Sequence, residues 1–189
     1  MLRSLLQELR AVLATVDEPM AETFVPILDR ALEGPVAGVS TPFPLDDQPA
    51  LGPLTNGRTA AATIATASAD LAWHQPPADV VPPGWAHRAA ACELIGPDGM
   101  VTGLGAERFG LFYLAADLHY PDHWHNAEEF YLVLAGSAEW TVDDVTTRRG
   151  PGEWSHTPVR AVHRIVTHEQ PVLAMWGWSG DTSFDSYGY

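Results

Sequence analysis

The chain has 189 residues, 46% of them apolar, enough for one domain with a sizeable core and room for an appendage. Its formal net charge of −14 and pI near 4.7 exclude partners that need a basic face, nucleic acid and anionic membrane surfaces alike. Cys92 is the single cysteine, which excludes an internal disulfide and a thiolate metal site.

In the opening stretch, MLRSLLQELRAVLATV, Leu2, Leu5, Leu6, Leu9, Val12 and Leu13 fall on one helical face. Arg3, Glu8 and Arg10 interrupt it, so it lacks the continuous apolar core of a signal peptide, and no run reaches transmembrane length. A soluble cytoplasmic protein is the expectation. A second helix is predicted in MAETFVPILDRALEG, with Phe24, Ile27, Leu28, Ala31 and Leu32 on its apolar face and a stop at Gly34. Residues 34–58 read as loop, 59–73 as a small-residue helix, and QPPADVVPPGW as a connector. The organisation expected is a helical N-terminal part, 1–80, packed on a second unit, 81–189.

From about residue 86 the texture changes to short apolar or alternating runs between turn signals: AACELI, RFGLFYLAADL, EEFYLVLAG, SAEWTVDD, TTRRGPGEW, HRIVTH and PVLAMWGW. That spacing predicts an antiparallel sandwich or barrel, with hairpin turns at Asp143-Asp144 and Pro151-Gly152 and a loop at HYPDHWH.

The stretch HYPDHWHNAEEFYLVLAG carries the chemistry. On a continuous strand, residues two apart share a face, so His123, His125, Glu129 and Tyr131 would converge. Four polar groups inside a small barrel are costly unless something satisfies them. A divalent cation does so, because imidazole and carboxylate suit zinc or iron first, and manganese, cobalt or nickel as well. Another histidine must come from a second strand. His163, between apolar residues, is the better candidate; His156 is placed in the loop before it. Glu128 has the opposite parity and is expected to meet solvent or arginine. His74, His87 and His168 have no ligand company.

His123-x-His125-x3-Glu129-x6-Gly136, followed by Gly150 and Pro158-x-Arg160-x2-His163, resembles the two motifs of the cupin superfamily. Three positions depart from it: Asp117 and Arg160 stand where glycines are expected, and Thr167 where an asparagine is. The fold this implies is mainly β with N-terminal helices, a cupin double-stranded β-helix or jelly-roll barrel. Tyr120, the run Glu129-Phe130-Tyr131 and the closing MWGWSGD are similar to the cupin-type dimethylsulfoniopropionate (DMSP) lyases, the DddQ-like group in particular. That resemblance implies cleavage of a small zwitterion, DMSP, to dimethyl sulfide and acrylate by β-elimination. It further implies His125, Glu129 and His163 as ligands of one divalent metal, Tyr131 at or near it, and Tyr120 close to the substrate. His123 stays open as a ligand or a substrate contact.

The chemistry has matching demands. A weakly acidic proton beside a carboxylate must be removed, which calls for a Lewis acid and a base. Tyr131, two residues from Glu129, is the first choice for the base and Tyr120 the second. The sulfonium calls for an aromatic face, and of Trp124, Trp154, Trp176 and Trp178 the last is favoured. A cupin dioxygenase or isomerase acting on a small acid would use the same ligands; a ligand-binding sensor cupin is a further reading. Oligomeric state is open.

Overall fold

A computed structural model of the chain describes residues 1–34, 64, 67–74 and 88–188. The predicted loop at 35–58, most of the predicted helix at 59–73, the connector at 75–85 and His87 lie outside the described residues.

Two helices open the chain, α1 (Leu2–Leu13) and α2 (Pro19–Glu33), close to the positions predicted. In α1, Leu5, Leu6, Leu9 and Leu13 form the buried stripe. In α2 the start is fixed by Pro19 and by the Glu18 carboxylate, which accepts from the Ala21 N–H at 3.1 Å. A 3₁₀ turn covers Ser68–Asp70.

The strands are β1 (Trp73–His74), β2 (Ala89–Ile95), β3 (Arg108–Leu114), β4 (His119–His123), β5 (Ala127–Gly136), β6 (Ala138–Val142), β7 (Val145–Arg149), β8 (Trp154–Thr157), β9 (His163–Val166) and β10 (Val172–Gly180). They form two sheets, one in the order β1-β2-β3-β10-β5-β8 and one in the order β4-β9-β6-β7. Among the described residues, the strand pairings within these sheets are antiparallel. Strands that alternate between two such sheets make the double-stranded β-helix expected of a cupin.

Three local expectations change. Trp73 and His74 are not helical; they pair with Cys92 and Ala91 at the sheet edge. HYPDH is strand β4, not loop, although its pairing with β9 slips between Tyr120 and His123. Asp143-Asp144 does close the β6–β7 hairpin, with Asp143 at φ 45. Pro151-Gly152 does not close a hairpin, because β7 pairs in one sheet and β8 in the other; it carries the chain between them.

The six-stranded sheet is buried on both faces. Outside, Phe24 of α2 packs against Phe109 and Phe130 with ring centroids 5.6 and 5.5 Å away. It lies directly over Gly177, where any Cβ would collide with the Phe24 and Phe130 rings. Inside, Glu129 and Tyr131 lie opposite Trp178 and Trp176. Burial on both sides is why β5 reads as an almost continuous apolar run.

At two of the departures from the cupin motifs the backbone keeps a glycine conformation: Asp117 has φ 54 and Arg160 φ 62. The motif glycine that is retained, Gly136, has φ 69, and a Cβ there would overlap the Pro171 carbonyl. Thr167, at the third departure, is a buried clamp: its hydroxyl accepts from the Leu118 N–H at 3.0 Å and donates to the Ala115 carbonyl.

Candidate metal centre

The histidines converge, but not along one strand. β4 ends at His123 in the smaller sheet, and β5 begins at Ala127 in the larger one. Residues 124–126 form the corner between them, and His125 sits on that corner. His163 begins β9 and lies directly opposite His123. His123, His125, Glu129 and His163 are each no more than 2% exposed.

Each histidine is oriented by its own backbone. The Nδ1 of His123 lies 2.8 Å from the Pro121 carbonyl, that of His125 2.9 Å from Ala127, and that of His163 3.0 Å from Ala161. A carbonyl can only accept, so Nδ1 carries a proton and each ring turns its Nε2 inward. The three rings offer ligand atoms that all lie within 4.8 Å of one another, a group that could hold a metal ion.

Glu129 completes the cluster. Its Oε2 stands 3.4 Å from His125 Nε2 and 3.2 Å from His163 Nε2. These three atoms are buried and no well-formed hydrogen bond satisfies them. A carboxylate oxygen and two imidazole nitrogens face one another there, an arrangement that a divalent cation satisfies. Two ligand atoms, each about 2.0–2.1 Å from one tetrahedral ion, stand roughly 3.3–3.4 Å apart. The donor set and its spacing therefore fit a divalent metal.

The ionisation pattern has the same sense. Burial raises the Glu129 carboxyl, but the close approach of His125 and His163 outweighs it and holds the group well below the usual carboxylate range. Burial lowers His125, but Glu129 outweighs it and raises the ring above its ordinary value. His123 is pushed down to about 3, first by burial and then by His163.

The other Glu129 oxygen, Oε1, accepts from the Trp178 indole N–H at 2.6 Å, and the Trp178 ring lies 4.4 Å from that of His125. Tyr131 is buried on the same face, beside the rings of Phe112 and Trp140 at 5.3 and 5.9 Å. Burial, then the charge of Glu129, pushes its phenol well above the ordinary value. Tyr120 is half-buried, its ring edge-on to His123 at 4.5 Å.

Two residues fall away from the cluster. His156 is on β8, not in a loop, and its Nε2 meets Glu128 Oε1 at 2.9 Å. Glu128 meets solvent as expected, and its charged partner is a histidine rather than an arginine. One residue was missed. Tyr187 stacks on His123 at 5.1 Å with 16° between the planes, and its hydroxyl lies 2.7 Å from that of Tyr120. A position so close to the chain's end carries no periodic signal. The usable clue was topological: β10 ends at Gly180 opposite Ala127, so whatever follows must pass the His125 corner.

Fold and site together define a cupin barrel with a metal-competent pocket of three histidines and a glutamate. The DMSP lyase family model matches residues 45–174, well over half of the sequence, and the chain belongs to that family. It is 41% identical over 70 residues to the dimethylsulfoniopropionate lyase DddQ of Ruegeria pomeroyi, covering 36% of this chain and only 35% of that relative's length. The crystal structure of DddQ from Ruegeria pomeroyi aligns over 99% of this chain and 94% of its own, with TM-score 0.80 and 26% identity. A structure from work on the DMSP lyases RdDddP and RnDddQII aligns over 100% and 98%, with TM-score 0.72; at 22% identity it bears on the fold alone. Among the described residues no helix is long and apolar enough to cross a membrane.

Proposed function

We propose that this protein is a metal-dependent DMSP lyase, cleaving DMSP to dimethyl sulfide and acrylate by β-elimination. The observation that carries the metal requirement is the buried cluster of Glu129 Oε2 with His125 Nε2 and His163 Nε2, which lacks a satisfying partner. Family membership supports the substrate.

In this reading His125, His163 and Glu129 hold one divalent ion, zinc or iron before manganese, cobalt or nickel, with His123 as a further ligand. When bound, the ion supplies Lewis-acid polarisation of the substrate carboxylate and the positive charge that brings the Tyr131 phenolate within reach. Tyr131 takes the proton on the carbon next to the carboxylate. The electron pair forms the new C=C bond, the C–S bond breaks, and dimethyl sulfide leaves with that sulfur's electrons. Acrylate and the proton on Tyr131 account for the rest of the substrate.

Tyr120 orients the substrate from the half-buried rim, and the Trp178 ring faces its sulfonium end. Trp178 also keeps Glu129 in place through its N–H. The inward walls of Trp176, Trp178 and Tyr131 are all buried, which keeps bulk water from the reacting carbon.

Headspace gas chromatography of the metal-loaded protein with DMSP tests this. Dimethyl sulfide is expected from wild type, with Tyr131→Phe lowering kcat by at least 100-fold, within the usual range for a positioned base. Wild type that is metal-replete yet releases no dimethyl sulfide contradicts the lyase reading. Tyr131→Phe with unchanged kcat removes Tyr131 as the base and leaves Tyr120 in that role.

A further inference from the structure

Beyond β10 the chain does not leave the barrel. Residues 181–188 run as a strap across the corner that carries His125. The strap is fastened along its whole length. Asp181 Oδ2 accepts from the Asn126 side-chain amide at 2.9 Å, and the Thr182 carbonyl accepts from Arg108 Nε at 3.0 Å. Phe184 packs on Trp178 at 5.3 Å, and the Arg108 guanidinium lies over the Phe184 ring, 4.5 Å from its centroid. Ser186 Oγ accepts from the Asn126 N–H at 3.2 Å. Gly188 and Trp124 exchange two backbone hydrogen bonds, both 2.9 Å, and a Cβ at Gly188 would enter the Trp124 ring.

The anchor for this strap is an interior one. Arg108 is buried and bound to Glu93 at 2.6 Å and to Asp98 at 2.9 Å. A buried guanidinium with two carboxylates fixes its Nε direction, and hence the path of Thr182. The strap thereby delivers one side chain into the site. Tyr187 lies flat on His123 and joins its hydroxyl to that of Tyr120.

We infer that Tyr187 is a substrate-positioning residue that acts through Tyr120. This deepens the lyase reading above and rests on it. Tyr120 is half-buried and sits on a strand whose pairing slips just after it, so its ring has little backbone restraint of its own. Contact with Phe112 at 5.9 Å and with His123 at 4.5 Å limits where the ring can lie, and the Tyr187 hydroxyl fixes where the phenolic oxygen points. Positioning of that kind shows in substrate binding more than in the chemical step.

A double-mutant cycle of Tyr120→Phe and Tyr187→Phe tests it, since both keep their rings and lose only the hydroxyls. Two quantities are read on metal-loaded protein: KM and kcat from dimethyl sulfide release, and calorimetric binding of 3-(trimethylammonio)propanoate, an ammonium analogue of DMSP that contains no sulfur to release. Metal content and Tm serve as controls for folding. Each single variant is expected to raise KM and the analogue Kd about two- to tenfold, with a smaller change in kcat, and the double variant to be no worse than either single. Additive effects, or Tyr187→Phe binding like wild type, overturn the proposal while wild-type dimethyl sulfide release leaves the lyase reading intact. A wild type that binds the analogue but releases no dimethyl sulfide defeats the lyase reading, and the cycle on Kd still decides the Tyr120–Tyr187 coupling. A wild type that neither binds nor reacts defeats both.

Discussion

The two faces of the six-stranded sheet meet the same strand with opposite requirements. Outside, Phe130 of β5 shares an aromatic cluster with Phe24 and Phe109, and apolar contact is all those rings need. Inside, the residues on either side of Phe130 are Glu129 and Tyr131, and there Glu129 Oε2 has no hydrogen-bond partner. An unsatisfied buried polar group costs about 1–3 kcal/mol, and more if charged. The outer face holds the barrel together. The inner face draws on that stability, and in the proposed reading a bound cation offsets the cost.

Substitutions on each face separate these roles. The largest effect belongs to the inner face. His163→Ala is expected to abolish metal retention and dimethyl sulfide release, well beyond the roughly 100-fold that loss of an outer-sphere contact costs. Elemental analysis of the purified variant checks the first and headspace chromatography the second. On the outer face, Phe24→Ala is expected to cost about 3–5 kcal/mol of stability, read from urea unfolding. Below its transition it should keep the wild-type metal content and KM. A Phe24→Ala protein that stays stable but loses its metal would erase the distinction between the faces.

Trp178→Phe probes the inner wall itself, because it keeps an aromatic ring there while removing the N–H that binds Glu129 Oε1 and part of the indole. A loss of about 10–100-fold in metal affinity is expected, measured by competition with a chromophoric chelator. The smallest effect calibrates the rest. Asp117 holds a left-handed backbone at φ 54 in the turn before β4, on neither face. Asp117→Gly should stabilise by about 0.5–1 kcal/mol, the left-handed penalty less the greater unfolded freedom of glycine, with metal affinity unchanged. A rise in Tm is the readout.

Most of the barrel was legible in the sequence because its strands are short, apolar and separated by strong turn signals. Both helices were legible from their leucine-rich stripes. The convergence of His123, His125 and Glu129 was also legible, though for a reason that proved incomplete: His125 sits on a corner between two sheets, which linear spacing cannot reveal. The same blindness to sheet membership made Pro151-Gly152 look like a hairpin. The double duty of Trp178 depends on its register opposite Glu129, and the arrival of Tyr187 depends on β10 ending beside Ala127. Both are facts of pairing, and pairing is not written in local periodicity. The glycine-like backbone at Asp117 and Arg160 shows the converse, a conformation set by the fold against the local residue.

Lysis of DMSP is proposed to depend on the buried histidine–glutamate cluster acting as a metal centre. The most direct test is to titrate metal-free protein with one divalent ion at a time, recording bound metal and dimethyl sulfide release on the same samples. The expected result is activity that rises in proportion to occupancy and levels off at one ion per chain, with His163→Ala flat throughout. Equal release from the fully chelated wild type, or saturation of binding with no dimethyl sulfide at any ion, would contradict it.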